Sequence, residues 1–373
     1  MAKITIIGVL PESLINFRGE LLKTLSNAGH EVIAMADSAT KETIQNIEQL
    51  GAKFIAYPIE RTGMNPIKDL KTLYALYREL KKQNPDYVLA YTIKPVIWGG
   101  VAARILGKSS QFQGLITGLG FAFQSERPKQ KILTYLVKKL YKVALKYPAK
   151  VIFQNQDNQR QFIDQKIILK SQSYIVNGSG VCLDYFKKEP LPEGNSIVFL
   201  TIARLLAAKG LREFAAAAKE VKKLYPLTQF KLLGPEDPSP DRIPIEEIRE
   251  WHNLGVIEYC GESDDVRPWI KNCHVFVLNS YNEGMPRTVL EAMSTGRPII
   301  TTLVPGCRET VIEGVNGYLV AKSDINALVE AMIKMIENKQ ELAEMGNESR
   351  KIAVEKFNVH QVNNDLIRLM KLK

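Results

Sequence analysis

Two glutamates eight positions apart, Glu283 and Glu291, bracket the stretch with the most chemical promise in this 373-residue chain. Gly284-Met285-Pro286-Arg287 stands between them, after the apolar run Val275–Leu278 and at the head of a helical pattern spanning Met285–Thr295. Proline suits the first turn of a helix, where its missing N–H would have no partner anyway. The N–H groups around Gly284 to Arg287 would then mark a helix start suited to an anion such as a diphosphate. Two carboxylates flanking such a start can each accept hydrogen bonds from sugar hydroxyls, one on a ribose and one on a hexose. A carboxylate ahead of a helix can equally be a simple cap, and taken alone Glu283 fits either role.

A second cluster, Ala203-Arg204-Leu205-Leu206-Ala207-Ala208-Lys209-Gly210, also follows a strand-like run and opens a helix. A guanidinium and an ammonium at that point would stabilise a departing diphosphate electrostatically, without a metal. Surface ion pairs are the plain alternative for both. No D-x-D pattern occurs, and Ser263-Asp264-Asp265 reads as a cap for the next helix rather than a magnesium site. The four cysteines (Cys182, Cys260, Cys273, Cys307) form no C-x-x-C pair, which argues against a zinc site or disulfide framework and for reduced, cytosolic thiols.

Short apolar runs alternate with helical patterns along nearly the whole chain. The first series begins Ile4–Val9, Val32–Met35 and Lys53–Ala56, with helices expected at Arg18–Ala28, Ile67–Lys82 and Val96–Leu106. The second includes Ile197–Thr201, Gln229–Leu233, Val275–Leu278 and Ile299–Thr301. Continuous apolar strands separated by helices imply parallel sheets covered on both faces. The length suits two cores, and the polar stretch Lys187–Gly194 is the expected break. The expectation is an α/β chain of two doubly wound domains facing a cleft, with chemistry beyond the carboxyl ends of the strands. The proposed divisions are 1–187, 188–357 and a final helix, 358–373, crossing back to the first domain.

Composition excludes several classes. Hydrophobic content of 45% and charged content of 24% are ordinary globular values. No apolar run reaches the roughly 18 residues of a membrane span, and the N-terminus lacks a signal-peptide pattern. The net charge of +10 is uneven: residues 1–190 carry 27 Lys/Arg against 15 Asp/Glu, and the remainder is slightly acidic. Arg127, Lys129, Lys131, Lys138, Lys139, Lys142, Lys146 and Lys150 fall in one acid-free segment with apolar residues at three- and four-residue spacing. That is an amphipathic helix with a cationic face, suited to an anionic membrane. A packed surface helix with solvated lysines is the plain alternative. Nucleic acid is a weaker third, because no nucleic-acid-binding motif accompanies the charge.

Glu283-x7-Glu291 with Gly-Met-Pro after the first Glu resembles the signature of the family 4 retaining glycosyltransferases of the two-Rossmann-domain (GT-B) fold. The Arg204–Gly210 segment resembles that family's S-R-L-x-x-x-K-G stretch. Asn177–Asp184, Pro305-Gly306-Cys307-Arg308-Glu309 and Asn316-Gly317-Tyr318-Leu319 resemble further family segments. The resemblance implies that Glu283 touches the donor hexose, Glu291 the nucleotide ribose, and Arg204 and Lys209 the diphosphate, with Gly284, Met285, Pro286 and Arg287 completing the donor site. Asn16-Phe17-Arg18, Tyr91-Thr92-Ile93-Lys94-Pro95 and Thr117-Gly118-Leu119-Gly120 resemble bacterial transferases that extend undecaprenyl-diphosphate-linked saccharides.

That subgroup implies a UDP-sugar donor, with N-acetylgalactosamine the favoured sugar, and a polyprenyl-diphosphate-linked glycan acceptor. Asn16, Arg18, Lys94, Thr117 and Gly118 would lie on the acceptor side. Arg127, Lys131, Lys138, Lys139, Lys142 and Lys146 would rest on the cytoplasmic face of the membrane, with neither a metal nor nucleic acid involved. Many family members place a His after the strand matching Phe112–Ile116. This chain has none there, so no catalytic His carries over. A two-domain sugar-nucleotide epimerase shares the architecture, and a non-catalytic nucleotide- or polyanion-binding protein is the alternative from another class.

Overall fold

The computed structural model describes residues 1–61, 65–119, 128–194 and 196–372, with the backbone alone for 128–130. The chain divides into two compact units, residues 1–179 with 360–373, and residues 180–359.

The first unit holds seven strands: β1 (Lys3–Ile7), β2 (Glu31–Ala36), β3 (Ala52–Ala56), β4 (Tyr87–Tyr91), β5 (Phe112–Ile116), β6 (Lys150–Phe153) and β7 (Ser173–Ile175). They pair in parallel in the order β3-β2-β1-β4-β5-β6-β7. Alternate strand residues enter two separate cores. Ile7, Met35, Ala90 and Phe153 pack on one face, and Ile6, Ala34, Leu89 and Ile152 on the other. Helices α1 (Pro11–Asn27), α2 (Lys41–Gln49), α3 (Pro66–Gln83), α4 (Ile93–Ile105), α5 (Pro128–Ala144) and α6 (Gln156–Asp164) connect the strands.

In the second unit, β8 (Val198–Ile202), β9 (Gln229–Leu233), β10 (Glu258–Tyr259), β11 (Val275–Leu278), β12 (Ile299–Thr302) and β13 (Gly317–Val320) form a parallel sheet ordered β10-β9-β8-β11-β12-β13. Its helices are α7 (Leu211–Leu224), α8 (Ile245–Asn253), α9 (Arg267–Lys271), α10 (Arg287–Ser294), α11 (Ile325–Glu337) and α12 (Leu342–Lys356). The winding reverses between β8 and β11, the position where doubly wound sheets bind ligands.

Two differences from the sequence reading have physical causes. Helix α1 starts at Pro11, not near residue 18, because Pro11 occupies its first turn and Glu12 follows. Asn16 and Arg18 are therefore both inside this helix. The division between units comes after residue 179, ahead of the polar 187–194 stretch. That stretch is tied into the second unit by buried Arg297, whose guanidinium donates to the carbonyls of Glu189 and Pro190 at 2.8 Å. The last helix, α13 (Val359–Leu369), belongs to the first unit from His360 onward. Its Val362 and Leu366, with Met370 just beyond, pack among Ile4, Ile6, Leu89 and Ile152.

Candidate functional site: the winding reversal of the second unit

The loops leaving β8 and β11 carry the charged residues singled out by sequence. After β8 the chain makes a short turn, Ala207–Lys209, ending at Gly210 with φ of 64°. A side chain there is excluded twice over, because the backbone is left-handed and a Cβ would meet the Asn279 carbonyl at 2.0 Å. That close approach seats the turn against the end of β11. The Tyr281 N–H donates to the Ala208 carbonyl at 2.8 Å, and the Ser280 hydroxyl donates to the same oxygen at 3.2 Å. The Tyr281 hydroxyl in turn donates to Glu213 of α7.

This docking brings Lys209 to Glu283, 74 residues away in sequence, as a hydrogen-bonded ion pair. Each side chain is largely but not wholly covered, so the pair is protected from water yet reachable. Arg204 pairs with Asp237, a residue the sequence reading passed over, through Nη1. Glu291 is buried in α10, and Arg287 one turn earlier donates to it from Nε at 2.7 Å. Burial pushes the Glu291 carboxyl above the ordinary carboxylate value, and the neighbouring guanidinium partly offsets that rise.

Helix α10 begins at Arg287 with Pro286 as its extended N-cap residue, two positions later than the pattern from Met285 suggested. Pro286 makes no side-chain cap, and Met285 packs into the core beneath. The Glu283–Gly284 backbone rests against the loop after β12. Gly306, at φ of 87°, would place a Cβ 2.6 Å from both the Glu283 and Gly284 carbonyls. Its N–H donates to Glu309 at 2.7 Å, which explains the Gly and Glu of the Pro305–Glu309 segment as a brace. Asp265 accepts from the Arg267 N–H at 3.0 Å, while the N-cap position of α9 is Val266, which makes no side-chain cap.

The chain carrying this site is similar to known proteins in both sequence and fold. Residues 184–352 match the family of glycosyl transferases group 1, and residues 15–155 match the glycosyl transferase 4-like family. A UDP-Gal:alpha-D-GlcNAc-diphosphoundecaprenol alpha-1,3-galactosyltransferase of Escherichia coli is 31% identical over 79% of this chain and 77% of its own length. The chain belongs to the group 1 glycosyltransferases. A second relative of this glycosyltransferase is an N,N'-diacetylbacillosaminyl-diphospho-undecaprenol alpha-1,3-N-acetylgalactosaminyltransferase of Campylobacter jejuni, 28% identical over 88% of each chain. In fold the enzyme is similar to the sucrose-phosphate synthase of Thermosynechococcus elongatus, with a TM-score of 0.80 at 19% identity over 100% of this chain and 98% of that one. It is equally similar to Anabaena HepE with UDP and glucose, with a TM-score of 0.81 at 16% identity over 100% of both chains. The two Rossmann-like units are those of the GT-B fold.

In the first unit of this glycosyltransferase the residues expected on the acceptor side follow the adjacent parallel strands β1, β4 and β5, but they differ in exposure and partners. Arg18 is buried, with its guanidinium 5.2 Å from the centre of the Tyr91 ring. The Tyr91 hydroxyl shares a 2.7 Å hydrogen bond with Ser13, and burial pushes its pKa up to about 12. Arg18 thus sits beneath Tyr91 rather than at the surface. Lys94, in the first turn of α4, donates to Asp69 of α3 at 2.9 Å. Asn16 is exposed on α1, whereas Thr117 and Gly118, just past β5, are half-buried.

Of the cationic residues, Arg127 lies outside the described residues. Helix α5 buries Val137, Tyr141 and Ala144 but leaves Ile132 at 65%, Tyr135 at 59% and Leu136 at 46% exposure. The three- and four-residue spacing of the apolar residues implied one apolar face opposite the cationic one. At 3.6 residues per turn Ile132, Tyr135 and Leu136 instead share one outward arc with Lys131, Lys139, Lys142 and Val143. Lys138 is half-buried at its edge, and exposed Lys146 follows the helix. Lys139 stands 5.3 Å from the centre of the Tyr135 ring.

Proposed function

We propose that the protein is a retaining glycosyltransferase that moves a hexose or N-acetylhexosamine, most simply N-acetylgalactosamine, from a UDP-sugar to an undecaprenyl-diphosphate-linked saccharide. The observation carrying the donor side is the Lys209–Glu283 pair beside Arg204 at the winding reversal of the second unit. The acceptor class follows from the undecaprenol-linked substrates named for the two relatives.

On this reading the diphosphate of the donor takes Lys209 from Glu283 and binds the exposed edge of Arg204. Glu283, released, accepts hydrogen bonds from the hexose, and Glu291 accepts them from the ribose. An acceptor hydroxyl oxygen bonds to the anomeric carbon on the face from which the diphosphate leaves. The C–O bond to the diphosphate breaks with its electrons, and a departing phosphate oxygen takes the hydroxyl proton. The two cations stabilise the charge that develops on the leaving group, so the step needs neither a metal nor a side-chain nucleophile. The lysines and exposed apolar residues of α5 hold the first unit on the anionic cytoplasmic leaflet, beside the lipid-linked acceptor.

Calorimetric titration with UDP, GDP, ADP and NAD, repeated on Glu291→Ala, tests the donor half. Selective UDP binding that the substitution abolishes supports it, and a preference for GDP or NAD overturns it. Incubating UDP-N-acetylgalactosamine with and without a diphosphate-lipid-linked saccharide tests the transfer. Sugar release that does not depend on the acceptor would point to an epimerase instead.

A further inference from the structure

The loop carrying Arg204 and Lys209 is held by a second segment, Pro235–Ile243, which follows β9. The Leu205 N–H donates to the Pro235 carbonyl at 3.0 Å, and the Ile243 N–H donates to the Leu205 carbonyl at 2.9 Å. Asp241 grips the turn ahead of Lys209 twice. Its carbonyl accepts from Ala207 N–H at 2.9 Å, and its carboxylate accepts from Ala208 N–H at 3.0 Å. Leu206 and Arg242 form an antiparallel bridge in the middle. Pro235, Pro238 and Pro240 stiffen this strap and Pro244 ends it, because each ring fixes one backbone dihedral.

Asp237 is the part of the strap that touches a charged donor-site residue. It is 4% exposed, and its Oδ1 is fixed by the Ser239 N–H at 2.9 Å, leaving Oδ2 for Arg204. The Arg204 side chain is 41% exposed. A guanidinium has five N–H donors, so one nitrogen can stay on a buried carboxylate while its open edge meets a phosphate. Arg204 is therefore anchored from behind, on a strap that also sets the turn leading to Lys209.

We propose that Asp237 is a positioning residue for the donor diphosphate, acting through Arg204, and that the Pro235–Ile243 strap presets the diphosphate site before the donor arrives. The inference rests on the reading of Arg204 as a diphosphate ligand. It runs against simple charge counting, since a carboxylate beside Arg204 weakens the local field for anions. Orientation outweighs that loss only if Arg204 would otherwise be free to swing away.

Asp237→Asn keeps the shape, removes the charge and separates the two effects. Binding of UDP, GDP and inorganic diphosphate is measured by calorimetry, with uridine and guanosine as controls that lack phosphates. The expected result is a loss of about tenfold for UDP and for diphosphate, the size of one misplaced charge-assisted hydrogen bond, with nucleoside affinity unchanged. Asp237→Glu should restore part of the loss. Asp237→Asn combined with Arg204→Ala should be no weaker than Arg204→Ala alone, because the aspartate acts only through the arginine. Unchanged or tighter diphosphate binding overturns the proposal, as does an equal loss for the nucleosides or a loss that adds to that of Arg204→Ala. A wild-type protein that binds no nucleoside diphosphate overturns the donor-site reading itself, and the inference with it.

Discussion

Lys209 and Glu283 are the residues on which the proposed chemistry turns. Each neutralises the other while the site is empty, and each acquires a substrate group when the donor binds. Removing either leaves its partner in a largely covered position without a counter-charge, besides deleting a contact to the transition state. Lys209→Ala and Glu283→Ala should each lower turnover by about 10²-fold or more, read from initial rates of sugar transfer. Near-wild-type rates in both would end the site assignment. Glu291 gives a pH signature. Its folded-state pKa is raised by burial above the ordinary 4.5, so its contribution to stability is fullest below that value and is lost as pH rises through the raised one. Binding to ribose hydroxyls has the opposite dependence, because the ionised carboxylate is the better acceptor. Nucleotide affinity should therefore weaken on acidification, beginning above pH 4.5, and Glu291→Gln should flatten that dependence in calorimetric titrations.

At the scale of elements, α5 and the Pro235–Ile243 strap do different work with the same economy. The outward arc of α5 combines lysines with Ile132, Tyr135 and Leu136, which water alone would not favour. Each basic residue near an anionic bilayer contributes about 1 kcal/mol. Neutralising Lys138, Lys139 and Lys142 together should weaken binding to phosphatidylglycerol vesicles by about 10²-fold while leaving nucleotide affinity intact. Vesicle sedimentation checks this, and unchanged partitioning would retire the membrane role. The helix itself was legible from its three- and four-residue spacing. Which apolar residues it buries was not, because periodicity marks a stripe but not where the neighbouring helix stops covering it. The strap was missed for a related reason. Four prolines in ten residues read as a loop, and only the paired β8 and β9 ends show what that loop holds.

Across the whole molecule, the chain leaves the first unit after residue 179 and returns to it at His360. Helix α13 completes the first core with Val362 and Leu366, whereas every proposed donor contact belongs to the second unit. Leu366 is fully buried, so Leu366→Ala should cost the first unit about 2–5 kcal/mol. Urea unfolding should show that loss, while nucleotide affinity in the folded enzyme stays at the wild-type value. A parallel fall in affinity would mean that the donor site depends on the first core.

Alternation of apolar strands with amphipathic helices, together with the Glu283–Glu291 spacing, determined the α/β class and the family, and singled out the residues proposed for the donor side. These are local signals, written in the order of residues along one strand, loop or helix. Tertiary structure alone decided which charges meet. Lys209 finds Glu283, Arg204 finds Asp237, and Arg18 is withdrawn beneath Tyr91 because parallel sheets bring the ends of sequence-distant strands side by side. It also decided that Asn16 and Arg18 ride on a helix begun by Pro11, and that the 187–194 stretch belongs to the second unit. Those outcomes depend on which carbonyls and side chains a neighbouring strand presents, and no spacing within a single segment carries that information.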